Sequence, residues 1–124
     1  MIAANAAKDL TGRRVLVVED EMLVAMDYCE RLAEAGAEIL GPFPSVAQAL
    51  KCMDTAPVDV AVLDYALADQ TSDPLQAALE RRGIPFVVIS GYPRVLVRRN
   101  ARQNVLSKPV SPNALCELIK AACR

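Results

Sequence analysis

Short aliphatic runs alternate along this chain with longer stretches of helical period, and no other feature narrows the possible folds as sharply. Residues 15–18, 58–63, 85–90 and 105–107 form four such runs, and a shorter one near 38–40 is closed by Gly41-Pro42. Strands that stay apolar without alternating have no wet face, as in a parallel sheet covered on both sides. Aromatics make up 4% of the residues while 53% are hydrophobic, so the interior must be built from Ala, Val, Leu and Ile. A chain of 124 residues supplies one such core.

The intervening segments read as helices. The first opens at Glu19-Asp20-Glu21 and runs to about Ala35, with Met22, Ala25, Met26, Cys29, Leu32 and Ala33 as its apolar stripe and Gly36 as its left-handed cap. Ser45 and Gln48 form a capping box for a second helix that turns Val46, Ala49, Leu50 and Met53 inward. A third begins around residues 72–74, faces Leu75, Ala78 and Leu79 to the core and stops at Gly83. Between Gly91 and Asn104 the pattern supports one or two helical turns. Ser111 as cap and Pro112 at the first helical position start the last helix, with Leu115, Leu118, Ile119 and Ala122 inward. The expected architecture is a doubly wound α/β domain whose five parallel strands run in the flavodoxin-like order 2-1-3-4-5, with residues 1–12 as a lead-in and 13–124 as the domain.

Charge and composition exclude several functions. A formal net charge of -1 gives no global attraction to nucleic acid or an anionic membrane. No apolar run approaches the ~20 residues of a bilayer span, and the first ten residues lack the pattern of a secretory signal. Cys29, Cys52, Cys116 and Cys123 show no CxxC spacing and read as reduced thiols of a cytoplasmic protein. Histidine is absent, which removes imidazole catalysis and most transition-metal sites.

The chemistry is concentrated where strands end. In an open parallel sheet functional groups gather beyond the carboxyl ends, at the switch point between strands one and three. Glu19 and Asp20 follow the first strand, Asp64 ends the third, Ser90 the fourth, and Lys108 follows the fifth. Three carboxylates in one crevice repel by a few kcal/mol per close pair at an effective dielectric of about 20, so a cation belongs with them. Oxygen ligands with neither His nor Cys suit Mg²⁺. Such an ion offsets the repulsion between a carboxylate nucleophile and a phosphoryl group, with Lys108 as a point charge and Ser90 as a hydroxyl donor. Each residue alone also has an ordinary reading, since acids favour helix N-termini and a Ser or Lys-Pro at a strand end is common. Their joint occurrence, one group per strand end, favours the site.

The segments Val-Leu-Val-Val-Glu-Asp-Glu at 15–21, Val-Leu-Asp at 62–64, Ile-Ser-Gly-Tyr at 89–92 and Ser-Lys-Pro at 107–109 together resemble the signature of bacterial two-component response-regulator receiver domains. The resemblance implies that Asp64 is the phospho-acceptor, Asp20 a direct Mg²⁺ ligand, Glu19 a neighbour acting through water, and the Ala66 backbone carbonyl a main-chain ligand. It implies Ser90 and Lys108 as phosphate-binding switch residues and a cis bond to Pro109. Val105 departs from the family, which carries an aromatic there. The 65–75 stretch lacks the common Met-Pro turn and, with residues 83–92, is similar to an alphaproteobacterial subgroup marked by a Phe-Ala-Thr-Gly-hydrophobic-Tyr motif, Ser90 standing for its Thr.

The implied function is that of a single-domain response regulator in a phosphorelay. A sensor histidine kinase or a histidine phosphotransferase would serve as partner, the state would be a monomer or weak dimer, and neither nucleic acid nor membrane would be contacted directly. Arg94, Arg98 and Arg102, spaced i, i+4, i+8, with Val105, form a candidate partner surface, although a solvated basic face explains the arginines equally simply. Tyr92 is a candidate shield for an acyl phosphate. The rival readings are a receiver-shaped interaction module that is not phosphorylated and a Mg²⁺-dependent aspartyl-phosphate phosphatase. The phosphatase is weakened by Ala at position 66, where such enzymes resemble Asp-x-Asp.

Overall fold

The computed structural model describes residues 9–91 and 104–123. Among these residues five strands and four helices follow one another as β1 (Arg14–Val18), α1 (Met22–Glu34), β2 (Glu38–Phe43), α2 (Val46–Thr55), β3 (Val60–Asp64), α3 (Asp73–Arg81), β4 (Phe86–Ser90), β5 (Asn104–Ser107) and α4 (Pro112–Ala122). All strand pairs are parallel, and the sheet order is β2-β1-β3-β4-β5. The short helix expected between β4 and β5 lies outside the described residues.

Alternate residues of each inner strand serve opposite faces, as strand geometry demands. Leu16, Val18, Ala61, Leu63, Phe86 and Val88 point to a layer made by Val46, Ala49 and Met53 of α2 and Leu75, Ala78 and Leu79 of α3. Val15, Val17, Val60, Val62, Val87 and Ile89 point the other way, onto Tyr28 and Leu32 of α1 and Leu115, Cys116 and Ile119 of α4. Each fully buried Leu or Ile contributes roughly 1.5–3 kcal/mol relative to exposure, which holds the sheet between two helical layers. Local signals set the helix ends. Ser45 accepts from Gln48 N at 3.3 Å and Ser111 from Ala114 N at 3.1 Å, while Gly36 and Gly83 take the positive φ of left-handed caps.

Three details differ from the sequence reading. β2 does not end at Gly41-Pro42 but continues to Phe43, because its partner β1 shifts register between Leu16 and Val18 and keeps pairing. α1 starts at Met22 with Glu21 as its cap, and its inward face is Ala25, Tyr28 and Leu32. Met22, Met26 and Ala33, expected inward, are exposed. The amphipathic body of Tyr28 fills the place assigned to methionine, a substitution that apolar periodicity alone does not reveal. Leu10, assigned to the lead-in, is fully buried with the α1/α4 layer, its N–H donating to Ala35 O at 3.0 Å. The four cysteines are free thiols, and burial raises those of Cys29, Cys116 and Cys123 above their ordinary range.

Candidate acidic site at the carboxyl edge of the sheet

The parallel register brings the strand ends level. Val18 pairs with Leu63, Asp64 with Ile89, and Ser90 with Ser107. Glu19 and Asp20 therefore leave β1 beside the last residue of β3, and Lys108 leaves β5 beside the last residue of β4. Backbone bonds hold this edge, with Glu19 N donating to Phe43 O at 3.0 Å, Tyr65 N to Ile89 O at 2.8 Å and Lys108 N to Ser90 O at 2.9 Å. The peptide bond between Lys108 and Pro109 is cis, as is that between Gly41 and Pro42.

One carboxylate oxygen from each of Glu19, Asp20 and Asp64 lies within 4.8 Å of the other two. Glu19 is only 2% exposed and Asp64 3%. Lys108 Nζ donates to Asp64 Oδ2 at 3.0 Å, and the Glu21 N–H donates to Glu19 Oε2 at 3.2 Å. The second oxygen of each buried acid, Glu19 Oε1 and Asp64 Oδ1, has no hydrogen-bond donor. A buried, unpaired acceptor costs about 1–3 kcal/mol, more when charged, so two in one place call for a ligand.

The electrostatics carry the same message. Burial, opposed by the Glu21 N–H and reinforced by Asp64 and Asp20, pushes the Glu19 carboxyl up to about 8. Burial of the Lys108 ammonium works against its charge, but the bond and charge of Asp64, with Glu19 and Glu21 behind it, outweigh that and raise it. Three acids share one ammonium, so ionising all of them leaves a negative excess, which is what the proton held by Glu19 relieves. A hard divalent ion with oxygen ligands matches this donor set, and the residues present fit Mg²⁺.

Ser90 is buried at the end of β4, facing the same edge of the sheet as Asp64. Ala66 lies in a short hairpin-like turn after β3. Ala66 pairs with Thr71 in an antiparallel bridge, Ser72 N donates to Tyr65 O at 2.8 Å, and Leu67 N to Gln70 O at 2.9 Å. Thr71 Oγ1 and the Tyr65 hydroxyl both donate to Asp73 Oδ2, at 3.0 and 3.3 Å, and Gln76 Nε2 donates to Ser72 Oγ at 3.1 Å, so the loop after Asp64 is tied to the first turn of α3. The polar run Asp-Gln-Thr-Ser-Asp at 69–73 was the available signal for this turn. Val105 is half-buried against the α2/α3 layer. Tyr92, Arg94, Arg98 and Arg102 lie outside the described residues.

No family model matches the chain. Among curated proteins it is 33% identical over 113 residues to the transcriptional regulatory protein PdtaR of Mycobacterium tuberculosis, an alignment covering 88% of this chain and 54% of that protein. The chain thus spans about half the length of the curated relative. Among solved structures it matches SdrG from Sphingomonas melonis with a TM-score of 0.76 and 32% identity, covering 93% of this chain and 97% of that one. The REC domain of the PhyR response regulator of Erythrobacter litoralis matches at 23% identity with a TM-score of 0.79, covering 90% of each chain, a likeness of fold. With a sheet of order 2-1-3-4-5 and three acids gathered at its switch point, the chain belongs to the receiver-domain family of response regulators.

Proposed function

We propose that this receiver works in a phosphorelay, with Asp64 accepting a phosphoryl group from the phosphohistidine of a sensor histidine kinase or a histidine phosphotransferase in the cytoplasm. The observation that carries this reading is the pair of buried, donor-less oxygens, Glu19 Oε1 and Asp64 Oδ1, beside the Lys108–Asp64 ion pair. Glu19, Asp20, Asp64 and the Ala66 carbonyl would hold Mg²⁺, which when bound offsets the repulsion between carboxylate and phosphoryl group. An Asp64 oxygen attacks phosphorus as the phosphorus–nitrogen bond of the donor breaks, and the imidazole nitrogen departs with the electron pair. Lys108 turns its ammonium from Asp64 to a phosphoryl oxygen, and the Ser90 hydroxyl donates to another. The product carries about -1.5 to -2 charges where one carboxylate charge stood, which biases the equilibrium between inactive and active forms. The turn after Asp64 and the Ile-Ser-Gly-Tyr segment support a place in the Phe-Ala-Thr-Gly-hydrophobic-Tyr subgroup.

The test is incubation with phosphoramidate and Mg²⁺ followed by intact mass measurement. Wild type gains one phosphoryl group and Asp64→Asn gains none. An unmodified wild type supports a receiver-shaped interaction module instead, and hydrolysis of many donor equivalents supports a phosphatase.

A further inference from the structure

Side chains of a helix lean towards its N-terminus, and α1 begins at the carboxyl edge of the sheet, just past Glu19 and Asp20. Tyr28, on the inward face of α1 and 4% exposed, is therefore aimed back at the acidic site. Its ring belongs to the α1/α4 layer with Val17, Ile89 and Leu115. The same residue borders a cavity of about 270 Å³ that Glu19, Lys108 and Pro109 also line. An apolar layer offers a hydroxyl nothing to bond, so the cavity is where the phenol oxygen opens.

Donors and acceptors at this edge do not balance. Lys108 Nζ is taken by Asp64 Oδ2, and the Glu21 N–H by Glu19 Oε2. Glu19 Oε1 is a buried acceptor without a donor. The Tyr28 hydroxyl is a donor that makes no hydrogen bond among the described residues. The two residues share a cavity several times the ~30 Å³ that a water molecule occupies, which leaves room for either side chain to swing. Electrostatics place them close together: burial raises the Tyr28 phenol above its ordinary value, Glu19 reinforces that, Lys108 opposes it, and Asp64 and Glu21 add to it. Packing alone does not call for this residue. Leu or Met would fill the layer, whereas a hydroxyl withdrawn from bulk water is costly until it finds an acceptor.

We propose that Tyr28 is a positioning residue of the acidic site, its hydroxyl donating to Glu19 Oε1 when the site is loaded with a divalent cation and so holding that carboxylate in one orientation beside Asp20 and Asp64. The inference deepens the function proposed for Asp64 and rests on that reading of the site. In the empty site the two atoms are not bonded. The bond forms as Glu19 turns to face the cation, so its effect falls on cation affinity and not on the stability of the metal-free protein.

The test labels the intact protein with ¹³Cζ-tyrosine and titrates it with Mg²⁺, the heat of binding being measured in parallel. The chain has three tyrosines, and Tyr28→Phe identifies the signal of Tyr28. In wild type that signal moves downfield, as donation to an anionic acceptor requires, with the same midpoint as the heat. Tyr28→Phe weakens Mg²⁺ binding about fivefold. Its urea midpoint in EDTA stays at the wild-type value. A Tyr28 signal that does not move downfield, or a wild-type Mg²⁺ affinity in Tyr28→Phe, overturns the positioning role. A midpoint in EDTA lowered along with the affinity marks a packing residue and overturns it too. If Tyr28→Phe does not fold, Tyr28→Leu identifies the signal and the wild-type titration decides. A wild type that binds no Mg²⁺ overturns the reading of the site together with this role. A wild type that binds Mg²⁺ and is labelled at Asp64 by phosphoramidate, with Tyr28→Phe equal to it in affinity, overturns the role of Tyr28 alone.

Discussion

Glu19 gives the metal-free protein a pH dependence opposite to that of most paired carboxylates. Its carboxyl is pushed up to about 8 from an ordinary value of 4.5, chiefly by burial. Between those values the folded state holds a proton that the unfolded state has released, so unfolding becomes easier as pH rises. The contribution of Glu19 is fully present below the unfolded value and is lost as pH climbs through about 8. At about 1.4 kcal/mol per pH unit the whole window amounts to on the order of 5 kcal/mol, a large part of a typical domain stability of about 5–15 kcal/mol. With a urea slope near 2 kcal/mol/M, the midpoint falls by about 2.5 M across that window. Lys108, itself raised, titrates above this range and does not interfere.

The assay is urea unfolding followed by far-UV circular dichroism, with EDTA and a thiol reductant present, from about pH 5.5 to about pH 8, below the range in which the thiols of the unfolded chain ionise. Wild type loses stability towards the alkaline end, Glu19→Gln gives a nearly level profile, and Mg²⁺ restores wild type most where the carboxyl is ionised. A wild-type midpoint that is level or rises with pH, or a Glu19→Gln profile with the wild-type slope, refutes the reasoning.

Lys108→Met removes the cation that holds Asp64 Oδ2 at 3.0 Å; it lowers the stability of the metal-free protein by roughly 1–3 kcal/mol and tightens Mg²⁺ binding several-fold in calorimetry, while phosphoramidate labelling slows. Gly41→Ala costs about 2–4 kcal/mol in thermal or urea unfolding, because Gly41 has φ +108° and a Cβ there would stand 2.8 Å from both Val17 O and Phe43 N. Ser111→Ala removes the acceptor for Ala114 N and costs about 1 kcal/mol by the same measurement, and Ser111→Asp restores it.

The amino-acid sequence by itself determined the alternation of strands and helices, the caps at Ser45 and Ser111, and the placing of Glu19, Asp20, Asp64, Ser90 and Lys108 at strand ends. These are signals of period and short range, which neighbouring residues carry without help from the rest of the chain. Tertiary structure alone decided that Tyr28 rather than Met22 or Met26 faces the core, that β2 runs on through Gly41-Pro42, and that Leu10 is buried. It alone left Glu19 Oε1 and Asp64 Oδ1 without donors while joining Lys108 to Asp64, 44 positions away in the chain. Such features depend on which remote groups share a volume from which water is excluded, and burial of that kind follows from the packing of whole elements rather than from any local pattern.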